Sequence, residues 1–323
     1  MRNNEKLLLL DKDAVESLLG FDDVLAAVRE AFTLHSEREG RVFQVVRERL
    51  STGGIFGIKS GDVQTEGLLG FKAAGFWPSN RQVGGEPHQA TIMLIDPATG
   101  RPTCMIDGNA ITTMRTGAAG GLGLQLLARP DSTTACVFGT GVQARIQLTF
   151  ALRLVPSLKR IQYVSWNDEK DEAFESHFRA HCDISHVKDR NAAVAVSDIV
   201  ITATPGGGAL FDADAVKPGT HLNCVGADTK GKRELPEGLL ARARLVVDDR
   251  TQAMEIGETQ WAPETPLIEI GDLLTGKERV ERQPSDITVF DMTGLALQDL
   301  TVARMLRDRA AETQTGTSIA WPW

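Results

Sequence analysis

The chain has 323 residues, 42% of them hydrophobic and 24% charged, the balance of an ordinary globular protein with core enough for two domains. Its formal net charge of −8 and pI near 5.4 come without any block of basic residues. This argues against a nucleic-acid partner and requires any anionic ligand to be drawn by a local cluster of cations.

Four leucines at positions 7–10 are too few for a signal-peptide core or a membrane span, so the chain reads as cytoplasmic, with no membrane partner. Residues 13–39 carry helical spacing through Val15, Leu18, Leu19, Val24, Leu25, Val28, Ala31 and Phe32, with Asp22 as a cap. From Arg41 to Ile106 strand-like runs (42–46, 55–58, 71–76, 90–95 and 103–106) alternate with glycine-rich turns, and Asp96-Pro97-Ala98-Thr99-Gly100 is a hairpin-type turn. Residues 111–127 form a helix rich in small residues that Arg129-Pro130-Asp131 stops. Strands at 135–138, 160–165, 198–203, 221–225, 244–247 and 286–290 then follow one another with helices at 143–154, 169–180 and 192–196. Strands spaced by helices imply a parallel, doubly wound sheet. A last helix spans 295–312 and returns to the first domain. Cys104, Cys136, Cys182 and Cys224 are scattered and read as buried thiols, and no histidine spacing suggests a metal.

Val137-Phe138-Gly139-Thr140-Gly141-Val142-Gln143-Ala144 follows an apolar run and opens a helix, the order of a G-x-G-x-x-A dinucleotide turn. There backbone N–H groups can approach a pyrophosphate. The next strand ends Trp166-Asn167-Asp168, where a carboxylate can hold the ribose hydroxyls; Asn167 and Asp168 are equally suited to capping the helix at 169–180. Thr202-Ala203-Thr204 and the glycines after it can line a nicotinamide or simply form a loop. Asp228, just past the carboxyl end of a strand, is placed to face a substrate or to begin a turn. Arg47, Lys72 and Arg115 stand in apolar surroundings, where each needs a structural partner or a bound anion; guanidinium groups suit a carboxylate. His88 is a loop residue or a proton donor, and Arg81 is a solvated cation or one at the substrate entrance.

Several separated blocks resemble the ornithine cyclodeaminase/μ-crystallin family, over nearly everything from Val42 to Ala303. They are Pro87-His88-Gln89-Ala90, Met105-Ile106-Asp107-Gly108-Asn109 leading to Thr112-Thr113-Met114-Arg115-Thr116, the turn at 138–144, Val225-Gly226-Ala227-Asp228 with Gly231-Lys232-Arg233-Glu234-Leu235, and Thr293-Gly294-Leu295-Ala296-Leu297-Gln298-Asp299-Leu300. The resemblance implies an α/β protein whose Rossmann-like doubly wound sheet (residues 130–299) is inserted in a second α+β domain for dimerisation and substrate binding (1–129 and 300–323). It places Lys72 and Asp228 as a coupled catalytic pair, and Arg47 and Arg115 on the substrate carboxylate; Arg81 and His88, read from their own positions, are further candidate substrate contacts. Taken together, the residues expected to bind the cofactor are Gly139, Thr140, Gly141, Val142, Gln143, Ala144, Asn167, Asp168, Thr202, Ala203, Thr204, Val225, Gly226 and Asp299.

Family members that use NADPH end the second strand in Asn-Arg. Here the pair is Asn167-Asp168, whose carboxylate repels a 2′-phosphate, so NAD(H) is expected over NADP(H). The expected activity is NADH-dependent reduction of an imine to an L-amino acid, with iminosuccinate to L-aspartate as the specific reading and a homodimer as the assembly. Ornithine cyclodeamination with recycled NAD, cyclic ketimine reduction, an alanine dehydrogenase-like reaction and non-catalytic ligand binding stand as alternatives.

Overall fold

A computed structural model describes residues 5–321 and divides the chain into two units. The first comprises the chain up to Arg115 and from Leu295 onward; the second is Thr116–Gly294.

The first unit opens with β1 (Lys6–Leu10), α1 (Lys12–Leu18) and α2 (Phe21–Ser36). The helical pattern at 13–39 falls into two helices separated at Leu19-Gly20, and Gly20, not Asp22, is the N-cap of the second, α2. Val24, Val28, Ala31 and Phe32 are fully buried along one stripe of α2, as the spacing predicts. Then come β2 (Gly40–Val42), β3 (Val46–Arg49), β4 (Ile55–Val63), β5 (Leu68–Phe76), β6 (His88–Ile95) and β7 (Pro102–Asp107). The Asp96–Gly100 turn joins β6 to β7; Gly100 has φ +74 and donates its N–H to the Asp96 carbonyl at 2.8 Å. α3 (Asn109–Leu127) begins in this unit and continues into the second.

The second unit carries β8 (Thr134–Phe138), α4 (Val142–Leu154), β9 (Arg160–Val164), α5 (Glu172–Phe178), β10 (Asp183–His186), α6 (Arg190–Val196), β11 (Ile199–Thr202), β12 (His221–Cys224), β13 (Ala243–Val247), α7 (Arg250–Ile256), β14 (Leu267–Glu269), α8 (Ile270–Thr275) and β15 (Ile287–Asp291). Its eight strands lie in the order β10-β9-β8-β11-β12-β15-β13-β14 and every pairing is parallel. The carboxyl ends of β8, β9, β11 and β12 therefore share one edge, and the order reverses beside β8. Buried side chains from both faces, including Cys136, Phe138, Val200 and Leu222 on one and Val137, Tyr163, Ile199 and Ile201 on the other, explain why these strands read as unbroken apolar runs. β10, β14, α7 and α8 are short and lack periodicity, and sequence reading did not find them.

The chain returns to the first unit with α9 (Ala296–Thr313) and β16 (Thr317–Ala320). That unit's sheet runs β16-β1-β7-β6-β5-β4-β2, with β3 also on β4. It is mixed: β1 and β7 are parallel and the remaining pairs antiparallel.

The boundaries at 115/116 and 294/295 differ from the expected 129/130 and 299/300, for a packing reason. The small residues of α3 fit it to the second unit: an added Cβ on Gly117 or Gly121 would overlap Phe150, and one on Gly123 would overlap Phe290. Gln147 Nε2 donates to the Thr116 carbonyl at 2.6 Å and Asn223 Nδ2 to that of Gly120 at 2.9 Å. A proline stop ends the helix but does not end the packing. Cys104, Cys136 and Cys224 are buried and Cys182 half-buried, all as thiols. No helix of the described residues is long and apolar enough to cross a membrane.

Candidate active site

In the second unit the glycine turn leaves β8 and opens α4. Gly139 has φ +102, and a Cβ there would lie 2.6 Å from the Ala203 carbonyl, so only glycine fits. Gly141 is the N-cap of the 13-residue α4, supplies no side-chain cap, and has open space where a Cβ would point. Ala144 is fully buried beneath the turn. N–H groups without a side-chain cap, approached by backbone alone, are what a dinucleotide pyrophosphate requires, and Gly139, Thr140, Gly141, Val142 and Gln143 are the residues that would hold it.

Past β9, Asp168 has φ +54, and its carboxylate accepts from Arg190 Nη2 at 3.2 Å. It does not cap the next helix. α5 starts later than expected, and its cap is Asp171, whose Oδ1 accepts from the Phe174 N–H at 2.9 Å. The capping role that the sequence also offered Asp168 thus falls to Asp171.

The loops after β11 and β12 are tied by one buried carboxylate. Glu234 accepts from Thr202 Oγ1 (2.7 Å), from the Thr204 N–H and Oγ1 (2.7 Å each) and from the Gly226 N–H (2.8 Å). Burial raises its proton affinity, and these four donors work against that rise. Thr202 is fully buried with its hydroxyl committed to Glu234, which ties down the loop of Ala203 and Thr204. Asp228, at the end of the β12 loop, is ion-paired with Lys232 at 2.7 Å and accepts from Thr229 Oγ1 at 3.1 Å.

In the first unit, register places the site residues. Across the antiparallel strands Arg47 lies opposite Gly57, Gly57 opposite Ala74, and Ala74 opposite Ala90; one pleat along, Lys59 lies opposite Lys72. At the other end Phe76 lies opposite His88. Directly opposed residues share a face, as do residues two apart on one strand, so Arg47, Lys59, Lys72 and His88 stand on the same side of the sheet. This is the side that α9 covers. Gly61 and Gly70 on this face leave room for Ala296 and Leu300, which brings the first turn of α9 onto the lysines.

Asp299, in that turn, is fully buried. Lys72 Nζ lies 2.8 Å from both its oxygens and 3.3 Å from Thr112 Oγ1, while Arg115 Nε lies 3.2 Å from Asp299 Oδ1 and Arg115 Nη1 donates to Gln298 Oε1 at 3.2 Å. Burial pulls the Lys72 pKa down to about 7, with Arg115 and Lys59 adding to the fall and Asp299 opposing it. Burial works against the charge on Asp299, but Lys72, Arg115 and Lys59 more than offset it and hold its pKa below the usual range. His88 is pushed down by burial and by Lys72, and its Nδ1 lies 3.2 Å from Asn109 Oδ1.

Two of the expected site residues have partners that the sequence did not reveal. In the first unit Lys72 is ion-paired with Asp299, and in the second Asp228 is ion-paired with Lys232. Asp299, grouped with the cofactor residues by sequence, lies in the first unit beneath the cations, because the helix carrying it docks on β4 and β5. Arg47 and Arg49 both project from the same side of β3, Arg47 half-buried and Arg49 exposed. The Arg81 guanidinium lies 5.7 Å over the ring of Phe76, which is on the cationic face. Sequence reading missed Lys59, Thr112, Gln298, Arg190 and the role of Glu234; only strand register or distant contacts reveal them.

The profile of the ornithine cyclodeaminase/mu-crystallin family matches residues 5–314. The chain is 31% identical over 327 residues to the alanine dehydrogenase of Archaeoglobus fulgidus, covering 97% of this chain and 98% of that one. It is also 31% identical over 316 residues to the iminosuccinate reductase of Paracoccus denitrificans, covering 94% and 97%. Three solved structures match over nearly the whole chain. An archaeal alanine dehydrogenase dimer with bound NAD gives a TM-score of 0.90 at 31% identity, covering 97% of this chain and 99% of that one. The Delta(1)-pyrroline-2-carboxylate reductase of Thermococcus litoralis with NADH and L-proline gives 0.90 at 27%, covering 97% and 100%. The iminosuccinate reductase of Paracoccus denitrificans with NAD+ gives 0.89 at 28%, covering 98% and 99%. The chain belongs to the ornithine cyclodeaminase/mu-crystallin family, among its NAD-dependent oxidoreductases.

Proposed function

We propose that the protein reduces the C=N bond of a small 2-imino acid to an amino acid, with NADH preferred over NADPH, and that iminosuccinate, giving L-aspartate, suits it best. The observation that carries this reading is Lys72: a buried lysine with a pKa near 7, held at 2.8 Å by Asp299 and flanked by Arg115 and Lys59. A lysine so poised gives or takes a proton at neutral pH, as general acid–base work requires.

Arg47 and Arg115 hold the α-carboxylate of the substrate. Lys72 gives its proton to the imine nitrogen, making the carbon more electrophilic, and Asp299 keeps the lysine in place for that transfer. Bound NADH supplies the hydride that completes the C–H bond. Asp228 stabilises the positive charge that protonation creates. His88, neutral at working pH because burial and Lys72 disfavour its charged form, accepts hydrogen bonds from the substrate edge without adding charge. Asp168 takes the ribose hydroxyls and repels a 2′-phosphate. The protein works as a homodimer, like the archaeal alanine dehydrogenase whose structure is a dimer.

Direct amination of a monocarboxylic 2-oxo acid is the second reading. It is favoured by the equal 31% identity to an alanine dehydrogenase and to an iminosuccinate reductase. Both readings use the same residues. The experiment is NADH oxidation by the purified protein with ammonium and, in parallel, oxaloacetate, pyruvate, glyoxylate or a preformed cyclic ketimine. Stoichiometric NADH loss with aspartate formed supports the first reading, and alanine formed at greater efficiency supports the second. Proline and ammonia from ornithine, without net NADH change, would overturn both.

A further inference from the structure

We propose that Glu258 and Asp291 are positioning residues that share one proton at neutral pH and, through Glu234, hold the loops after β11 and β12 for NADH, so that losing this proton weakens cofactor binding. This holds for any imine substrate and needs only that NADH lie along those loops. Four carboxylates of the second unit, Glu234, Asp248, Glu258 and Asp291, are at most 1% exposed. Three of them are linked through backbone. Asp291, the last residue of β15, accepts through Oδ2 from the Thr259 N–H at 2.9 Å and from Thr259 Oγ1 at 2.7 Å. Glu258 accepts from the Glu234 N–H at 2.6 Å and the Leu235 N–H at 3.2 Å. Glu234 in turn holds Thr204 and Gly226. Each acid thus fixes the segment that carries the next, from β15 to the loops.

Positive charge is what these links lack. Among the described residues, the donors to Glu234, Glu258 and Asp291 are backbone N–H groups and threonine hydroxyls, not lysines or arginines. Asp291 Oδ1 is buried without a hydrogen-bond partner, and a Cβ on Gly257, the neighbour of Glu258, would come within 2.9 Å of it. Adjacent buried carboxylates cannot all be ionised cheaply, and one proton on the pair removes the repulsion. Burial and Asp291 push Glu258 up to about 8; burial, with Asp248 adding to it, pushes Asp291 up to about 7. The surrounding groups do not relieve this. Cys224, directly opposite Asp291 on β12, is kept a neutral thiol by burial and by Glu258, Asp291 and Glu234. Asp248, past β13, accepts from the N–H groups of Thr293 and Gly294 and from Thr293 Oγ1. Lys232 is paired with Asp228, and Arg233 donates to the Leu235 carbonyl and lies over the Trp261 ring. The charged residues of α7, Arg250 and Glu255, are exposed. When the proton passes to solvent, two charges face each other and the repulsion acts on the N–H anchors of Thr259 and Glu234. The NADH-bound form, which needs the loops in place, keeps the proton more tightly, so affinity falls as pH rises through this range.

The test is made in Lys72→Met protein, so that Lys72 does not titrate, and compares it with the same protein carrying Glu258→Gln or Asp291→Asn. Two readouts are followed from about pH 6 to about pH 9, where ordinary carboxyl groups are already ionised: the NADH Kd by fluorescence, and the infrared carbonyl band of a neutral buried carboxyl. We expect the parent to bind NADH about tenfold more weakly at the alkaline end, with the band lost over the same interval. In each double variant the Kd should be flat with pH, which removal of a merely structural contact would not bring about. A parent Kd that does not change with pH, a missing band, or an alkaline limb that persists in both double variants overturns the inference. If neither double variant folds, the parent decides: coincident midpoints for band and Kd support the shared proton, and separate midpoints overturn it.

Discussion

The two units build their halves of the chemistry from different materials. The second works with backbone: a glycine at φ +102, a helix start without a side-chain cap, and loops pinned by Glu234 at the carboxyl edge of a parallel sheet. The first works with side chains: cations projected by antiparallel register onto one face, gathered around a carboxylate from a helix far along the chain, where Gln298 lies 183 positions after Arg115. A backbone site needs a contiguous stretch of sequence to make it. A side-chain site needs only that distant strands pair in one register, and it carries its specificity in single residues.

That contrast can be broken or sharpened by substitution. Lys72→Met should give the largest effect, a kcat about 1,000-fold lower, with NADH binding within a factor of two, because proton transfer typically supplies about 100- to 10,000-fold. Single-turnover kinetics with a fluorescence titration of NADH separates the two. Full turnover would remove Lys72 from the chemistry. Asp299→Asn should leave Lys72 and Arg115 buried around a neutral group and destabilise the protein by about 3–5 kcal/mol in urea unfolding. Gly139→Ala acts on the other unit. Its Cβ meets the Ala203 carbonyl at 2.6 Å in a backbone region that costs about 1–3 kcal/mol for other residues. NADH should bind about 10- to 100-fold more weakly while succinate binding changes little; equal losses of both would contradict the division of labour.

Smaller effects come from charge. Reductive kcat/KM should fall as pH rises through about 7, where Lys72 loses its proton, and the limb should move upward in Lys59→Gln, which removes a neighbouring cation. The sign for stability is opposite. Between pH 7 and 10.5 the folded chain holds fewer protons on Lys72 than the unfolded one, so the penalty for burying this lysine is full below pH 7 and relieved above it. Asp168→Ser should leave Arg190 facing the position of a 2′-phosphate and shift the NADPH-to-NADH affinity ratio upward about tenfold. An unchanged ratio would mean that Asp168 does not select the cofactor.

The backbone half was the more legible in the sequence. The stretch 137–144 contains its own strand, turn and helix start, and the apolar strands around it announce a parallel sheet. The small-residue helix at 109–127 was legible as a helix but not in its allegiance, since fitting Gly117 and Gly123 against Phe150 and Phe290 is a tertiary matter. Lys72 and Arg115 stood out as cations in apolar surroundings, whereas Lys59, in Ile58-Lys59-Ser60-Gly61, showed nothing until its register with Lys72 was known. The ion pairs of Asp299 were hidden for the same reason: its segment follows the dinucleotide half along the chain and belongs to the first unit.

The most direct test of the account is the fate of the hydride. NADH deuterated at the reactive nicotinamide carbon, incubated with the protein, oxaloacetate and ammonium, should yield aspartate carrying one deuterium at its α-carbon for each NADH consumed. Unlabelled amino acid, or label passing only within ornithine-derived proline with no net NADH loss, would contradict imine reduction by this chain.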